Sequence, residues 1–436
     1  VAKLARERFT AVGDDLIPGF DLTISGRDAS SATQLFSAIR PLIASVTFED
    51  DEEVSSQIEI KVINQAETAP RLPMNWRAVI DSKAFTEGND IDLFMGYGGE
   101  RVFMDRCKIV KWLPNFEPDG PTEFTIRAHD GRHAMQTGNQ KKSKSKKKRK
   151  TFYSKQSDDQ IVKKIAKKYG YGADTDTPKV KKKAVKGAGG KVQHVFPTRV
   201  QGSDQTDWDF LQKLADINRF DLWVSYDQKK KQHVVNFKER RDIGQPEYKF
   251  VYNGEDGSLI SAQPDFSIQE QPTDVEVLHY DRKTRKIERT IVSEQNKSEK
   301  VTLADARVGP GQLQAKKTLI QGAAVRFRAG DQVLEAFSNK PFRSKKEAQQ
   351  FVEAWLRERE REVVVMQGSV IGIPTLRARQ VHQIEGLGAR LDGFYRFTNT
   401  KHKMEPGGQI YTVDFVAHKI LSEEITRRGK TVTALV

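Results

Sequence analysis

Residues 205–223 read QTDWDFLQKLADINRFDLW. Thr206-Asp-Trp-Asp209 supplies a helix cap, Trp208, Leu211 and Leu214 or Ala215 follow on one face, and the helix is expected to end near Asn218. The chain then turns to strand chemistry. Residues 220–225 (FDLWVS), a turn over 226–231 and residues 233–237 (HVVNF) predict a hairpin packed on that helix.

Upstream, Ser157-Asp-Asp-Gln160 has capping-box spacing: Ser157 can accept from the third helical amide while Gln160 reaches back. Ile161, Ile165 and Tyr169 recur at intervals of four, and Gly170 supplies a left-handed stop. Downstream, 274–280 and 288–292 are strand-like. Ser344-Lys-Lys-Glu347 opens a helix with Ala348, Phe351, Val352, Trp355 and Leu356 on its apolar side and the charged run RERERE at 357–362. Strands resume at Val363 and run to Ala417, with Tyr411, Val413 and Phe415 alternating against Thr412, Asp414 and Val416. The tail from Leu421 is expected to fray or to dock on a partner.

The first third is β-like. Short runs at 20–25, 45–48, 56–63, 91–96 and 123–128 are rich in β-branched and aromatic residues, with Gly, Pro, Asp or Asn near most of their ends. Ile58, Ile60 and Val62 alternate with Glu59, Lys61 and Ile63, the period of a strand with one buried face. The segment 114–121 gives a hairpin signal between a strand ending at Trp112 and one starting near Glu123. Such spacing suggests a barrel or sandwich.

With 436 residues the chain is long enough for about two to four domains. Its single cysteine, Cys107, excludes an internal disulfide and a four-cysteine zinc site. No apolar run approaches the ~20 residues of a membrane-spanning helix, and residues 1–10 lack the apolar core of a secretory signal. The net charge of +14 is local. Residues 141–150 (KKSKSKKKRK) carry eight positive charges and 179–191 (KVKKKAVKGAGGK) six, together the whole excess. Neither run contains an aromatic residue or a recognition helix, so both are expected as solvated loops. Lys141, Lys142, Lys144, Lys146, Lys147, Lys148, Arg149 and Lys150 are the candidate contacts to a polyanion: a nucleic acid, a membrane surface or an acidic protein patch.

Chemical motifs fall short. Gly386-Leu-Gly388 lacks the helix and third glycine of a dinucleotide loop and is expected as a turn. Gly187–Lys191 lacks the hydroxyl residue that would hold magnesium in a phosphate loop. His129 and His133 have metal-like i, i+4 spacing, but Gly131 lies between them without a catalytic glutamate, so they are expected as surface or loop histidines. No nucleophile elbow surrounds any serine. No catalytic residue, metal ligand or cofactor site is nominated, and an enzyme is not expected.

Three stretches together resemble the hub family of contractile phage tails: late control D proteins, the central tail hub of T-even phages and the hub part of type VI secretion spike proteins. Residues 205–223 are similar to the family's S-D-W-x-F-L-x-x-L-A-x-x-x-G-F helix, with Thr206 and Asn218 at the Ser and Gly positions. Residues 378–417 resemble its terminal barrel segment through Gly386, Gly388, the D-G-x-Y run Asp392-Gly393-Phe394-Tyr395, His402 and the Gly407-Gly408 turn. Residues 87–97 with 103–112 resemble an N-terminal barrel hairpin, with Arg106 or a neighbour where a glycine is usual.

This resemblance implies a β-rich α+β chain of two tail-tube-like β-barrels with helix-containing domains between them. The boundaries expected are 1–135 for the N-terminal barrel and 136–260 for a helix-and-hairpin domain with Lys-rich loops at 139–156 and 177–203. A mixed middle domain at 261–362 ends in a helix, and 363–436 form a C-terminal barrel segment completed by earlier strands. Trp208, Phe210, Leu211, Leu214, Gly386, Gly388, Asp392, Gly393 and Tyr395 are the signature positions, with structural roles. The implied function is a homotrimeric baseplate hub that adapts a sixfold tail tube to a threefold spike, in the virion tail after assembly in the host cytoplasm. The implied partners are the tail tube protein, central spike, baseplate wedge proteins and tape measure protein, with nucleic acid passing the lumen and no membrane insertion. The alternative is a cell-wall or polyanion binding module, since 158–172 loosely resembles the start of a LysM peptidoglycan module.

Overall fold

The computed structural model describes residues 3–4, 17–25, 40–64, 85–116, 122–137, 150–178, 183–186, 192–196, 198–218, 220–240, 246–254, 258–265, 274–281, 286–293, 334–337, 364–405 and 410–420. Along the chain, β1 (Lys3–Leu4), β2 (Pro18–Ser25), β3 (Ile43–Asp51), β4 (Gln57–Asn64), β5 (Asp90–Tyr97), β6 (Glu100–Asn115) and β7 (Thr122–His129) precede a short helix, α1 (Arg132–Thr137). Then follow β8 (Thr151–Tyr153), α2 (Asp158–Lys168), β9 (Gly172–Thr175), β10 (Lys183–Lys186), β11 (Val192–Val195), β12 (Arg199–Gln201), α3 (Asp207–Asn218), β13 (Phe220–Asp227) and β14 (Gln232–Glu239). The remaining strands are β15 (Tyr248–Val251), β16 (Leu259–Asp265), β17 (Asp274–Asp281), β18 (Lys286–Ser293), β19 (Leu334–Phe337), β20 (Val365–Ile371), β21 (Val381–Glu385), β22 (Gly393–Glu405) and β23 (Ile410–Lys419).

The chain divides into two compact units, one of residues 1–264 with 366–436 and one of 265–365. The second contains a three-stranded sheet ordered β18-β17-β19, with β17 and β18 antiparallel from Asp274↔Ser293 to Asp281↔Lys286. The helix expected from Ser344 to Glu362 and the tail from Leu421 lie outside the described residues.

In the first unit, 13 strands share one sheet that forms two lobes. The first lobe has the antiparallel order β2-β5-β6-β7-β4-β3. Its alternation works as the sequence predicts: Ile58, Ile60 and Val62 are buried on one face of β4, and Ile91, Leu93 and Met95 on one face of β5. Each such side chain contributes roughly 1.5–3 kcal/mol on burial. The second lobe has the order β15-β21-β22-β23-β20-β16. Tyr411, Val413, Phe415 and Ala417 are buried along β23, and the Phe415 ring stacks on Phe397 at 4.4 Å.

The expectation of two tail-tube-like β-barrels is met in part. The chain is β-rich with a large antiparallel sheet, but among the described residues no barrel closes. The reason in the first lobe is competition for an edge. The outer side of β3 is taken by β22, over six pairs from Val46↔Met404 to Asp51↔Asn399, so β3 cannot also close on β2. Instead Arg40, just before β3, donates from Nη2 to the Phe20 carbonyl at 3.1 Å. In the second lobe, β15 and β16 approach each other through a single isolated bridge, Tyr252↔Leu259.

Between the lobes in sequence, α2 and α3 pack on the sheet β13-β14-β9, in which β14 and β9 run parallel. Their core joins Ile161, Val162 and Ile165 of α2 to Trp208, Phe210, Leu211 and Leu214 of α3 and to Leu222, Val224, Val235 and Phe237 of the hairpin. Both helices begin where their caps predict. Gln160 Oε1 accepts from the Ser157 amide at 3.1 Å, and Thr206 and Asp209 exchange reciprocal bonds of 3.0 and 3.1 Å. The stretches expected as Lys-rich loops contain strands. β10 and β11 form an antiparallel hairpin within 177–203, and β8 pairs with β12 across the two stretches. Lysine content hid the β-branched residues of these short runs.

Candidate functional site

The second lobe repeats the first. Numbering the six strands of each lobe in chain order, both follow the sheet order 1-4-5-6-3-2, although β15 and β21 run parallel where β2 and β5 run antiparallel. The correspondence extends to single backbone bonds. In the first lobe Gly88 donates to the Ile109 carbonyl and Ile109 to the Asn89 carbonyl, both at 2.8 Å. In the second, Arg379 donates to the Phe397 carbonyl at 2.7 Å and Phe397 to the Gln380 carbonyl at 3.0 Å. Gly88 (φ +96°) and Arg379 (φ +72°) are both left-handed, which turns the chain away from the neighbouring strand. The register then shifts between Ile109 and Lys111 opposite β7, and between Phe397 and Asn399 opposite β23.

The seam between the lobes is polar at its rim and buried inside. Asn399 Nδ2 donates to Glu49 at 2.9 Å and to Asp51 at 2.7 Å. His402 is fully buried, its Nε2 is 2.8 Å from the Leu376 carbonyl and its Nδ1 2.8 Å from the Tyr411 hydroxyl. A carbonyl can only accept, so Nε2 carries the proton and Nδ1 accepts from Tyr411. Burial holds this imidazole well below its usual range, with Arg377 adding to the effect, so it is neutral. Tyr97 donates to the Gly372 carbonyl at 2.9 Å. Position 372 must be glycine, since a Cβ there would lie 2.2 Å from the Tyr411 ring.

Where the lobes meet the helix-and-hairpin segment, a cleft of about 530 Å³ is lined by residues that include Asp50, Asp105, Asp221, Trp223, Arg377 and Arg379. The charges beside it are committed to each other. Arg379 Nη2 holds both oxygens of Asp50, at 2.5 and 2.6 Å, and its guanidinium lies 5.3 Å from the Trp223 ring. Arg396 bridges Glu52 at 2.7 Å and Asp221 at 2.9 Å. Arg377 donates to the Pro374 and Leu376 carbonyls at 2.7 Å and packs on Phe48. Burial lowers the Arg377 pKa and pushes the Asp105 carboxyl well above its usual range, with Asp130 adding to the latter. Asp130 is itself pushed up to about 6 by burial. Ser56 donates its hydroxyl to Asp50 at 3.1 Å, and Ser225 accepts from Asn236 at 2.9 Å. Chemically this is a latch that fixes three pieces of chain, with the end of β3 at its centre.

The signature positions fall in two places. Trp208, Phe210, Leu211 and Leu214 are core residues of α3. Asn218, in the family's glycine position, donates to the Leu214 carbonyl and to Asp158, both at 2.7 Å, so it caps α3 while tying it to α2. Gly386, Gly388, Asp392, Gly393 and Tyr395 build the β21–β22 turn. Asp392 Oδ1 accepts from the Leu387 amide at 2.8 Å, the Asp392 amide donates to the Gly388 carbonyl at 2.9 Å, and the Tyr395 hydroxyl donates to Leu391. Gly386, Gly388 and Gly393 all have positive φ. Arg106 pairs with Asp92 and donates to the Tyr226 hydroxyl at 2.7 Å, joining the first lobe to the hairpin. Sequence reasoning missed that role and the latch.

His129 and His133 are half-buried, at the end of β7 and in α1, with rings stacked at 5.3 Å; they are not surface-loop residues, because α1 starts directly after the turn at Gly131. No metal-ligand cluster occurs among the described residues. Lys150 is exposed, and Lys141 to Arg149 lie outside the described residues. Residues 158–172 form α2, its turn and the start of β9.

No protein-family model and no curated protein matches the sequence. Solved structures do match. The 43 kDa tail protein of prophage MuSo2 from Shewanella oneidensis is 11% identical, with a TM-score of 0.55 over 86% of this chain and 93% of that chain. The tail protein from Neisseria meningitidis MC58 is 8% identical, with a TM-score of 0.56 over 92% and 96% of the two chains. A looser likeness, 8% identical with a TM-score of 0.45 over 87% and 74%, is to a component of the E. coli type VI secretion system. The fold is that of phage tail proteins. The resemblance to the contractile-tail baseplate hub family, read from residues 205–223 and 378–417, agrees with it.

Proposed function

We propose that this chain is the structural hub of a contractile tail baseplate, acting as a homotrimer that adapts the sixfold tail tube to the threefold spike. The observation that carries this reading is the repeated strand order of the two lobes. Three copies of a chain with two like lobes can offer six similar surfaces on one side while keeping threefold symmetry on the other. In this reading each lobe is one tail-tube-like barrel. Residues 1–135 supply the first, 363–436 with β15 and β16 the second, and the segments 136–260 and 261–362 are inserted between them.

The role is structural rather than catalytic, and the signature residues act by fixing α3 and the β21–β22 turn. The tail tube protein meets the sixfold side and the central spike the threefold side. Wedge proteins and the tape measure protein are the further neighbours in a virion baseplate assembled in the host cytoplasm. The lysine run at 141–150 is a polyanion contact within that particle.

The test is the mass of the full chain by sedimentation, alone and with the tail tube protein of the same particle. A trimer in either setting is expected. A chain that stays monomeric in both, and never enters a tail particle, overturns the proposal.

A further inference from the structure

The seam inside one chain indicates what a lobe offers its neighbour. β22 is covered by β23 along one side, from Tyr395 to Glu405. On its other side β21 reaches Arg396, bonds from Arg379 and Gln380 end at Phe397, and Asn399 to Met404 receive β3 of the first lobe. β6 is built the same way. β7 covers Lys108 to Asn115, while β5 reaches Lys108 on the opposite side and bonds from Gly88 and Asn89 end at Ile109. The matching register shifts make Lys111 the counterpart of Asn399. On the β5 side, Lys111 to Pro114 have no partner strand among the described residues.

β16 offers the strand that this seat lacks. It holds in the second lobe the position that β3 holds in the first. β20 takes one side of it, and on the other side the bridge from Leu259 to Tyr252 is the pairing found among the described residues. The run from Leu259 to Pro264 (LISAQP) has no charged residue, and Ile260 is half exposed. An open edge without charge is a template for pairing with another chain.

We propose that β16 of one copy pairs antiparallel with the Lys111–Pro114 edge of β6 in the next copy, repeating between chains the β3–β22 seam within each. The inference rests on the trimer reading above and names its interface. Charge agrees with the direction. In the internal seam the acidic end of β3, Glu49 and Asp51, meets Asn399 and Lys401. The same antiparallel placement sets the exposed Asp265 at the end of β16 beside the exposed Lys111. Pro264 and Pro114 bound the pairing at its two ends, since neither can donate a ladder bond. The contact is heterologous, and with the threefold rotation of the trimer reading three copies joined in this way make a closed ring of six lobes.

The experiment is cross-linking and dissociation of the full-length trimer. Leu113→Cys combined with Gln263→Cys, and separately with Ala262→Cys, covers the register that sets Asp265 opposite Lys111 and the adjacent one. Oxidation is expected to give covalent trimers in one of them and not in the single variants, with the buried Cys107 as an internal control. Lys111→Glu is expected to weaken the trimer about tenfold, and addition of Asp265→Lys to restore it. Both positions are exposed, so this pair keeps the test if a cysteine variant misfolds. A trimer that forms no link in either register and ignores Lys111→Glu overturns the interface while leaving the hub reading standing. A chain that never trimerises overturns both.

Discussion

His382 gives the sharpest stability test. Its ring is fully buried in the second lobe, with Phe397 at 4.6 Å and Tyr248 and Phe250 at 5.6 Å, and neither nitrogen has a hydrogen-bond partner among the described residues. Burial pushes its pKa down from 6.5 to about 3. In the fold the imidazole is therefore neutral where the unfolded chain takes up a proton. Stability is fully present above 6.5 and is lost as pH falls towards 3. At ~1.36 kcal/mol per pKa unit the full effect is about 5 kcal/mol, of which about 2 kcal/mol is lost by pH ~5. His382→Leu keeps an apolar side chain there and removes an unpaired donor, itself worth about 1–3 kcal/mol when buried. At pH ~7 the variant is expected within about 1–2 kcal/mol of the parent. By pH ~5 it should have gained about 2 kcal/mol on the parent. Urea unfolding followed by far-UV circular dichroism at both pH values measures the difference. Parallel stability profiles for the two proteins would refute the argument, because the imidazole would then be taking its proton in the folded state.

Two further substitutions probe the turn and the latch. Gly386→Ala places a Cβ 2.7 Å from the Tyr252 carbonyl at φ +87°, and should cost about 1–3 kcal/mol in the same unfolding assay. Arg396→Met leaves Glu52 and Asp221 with the longer contacts to Arg240, at 3.4 and 3.8 Å, and should cost about 1–3 kcal/mol, whereas adding Asp221→Asn, which leaves one acid facing Arg240, should recover part of that loss.

How far the sequence reached depended on how local the signal was. The caps at Ser157 and Thr206 involve side chains within three residues of the amides they serve, so α2 and α3 could be placed to a residue or two. The alternation in β4 and β23 is equally local. Sheet order is not. Nothing near Tyr248 or Leu259 announces that these strands belong beside Val381 and Val365, more than 100 residues later, because any half-buried strand presents the same pattern to any partner. The latch was invisible for a similar reason. Asp50 and Arg379 are separated by 329 positions, and charged residues at strand ends usually face water.

The internal repeat was equally hidden, and its residues explain why. Gly88 and Arg379 perform the same turn with different side chains, and Ile109 and Phe397 accept the same backbone bond with different volumes. Backbone bonding constrains φ, ψ and register; the side chain need only be apolar inside and polar outside, so identity can drift while the ladder is kept. Where packing is tight, drift is smaller. Ala128 and Ala417 face these corresponding positions across the sheet, both fully buried, and each is followed by histidine. Any larger residue at either alanine would have to displace the strand beyond the bulge, the portion of β6 or β22 that leaves its lobe to meet another. This sequence echo of the duplication therefore lies where a lobe's outgoing edge is aimed.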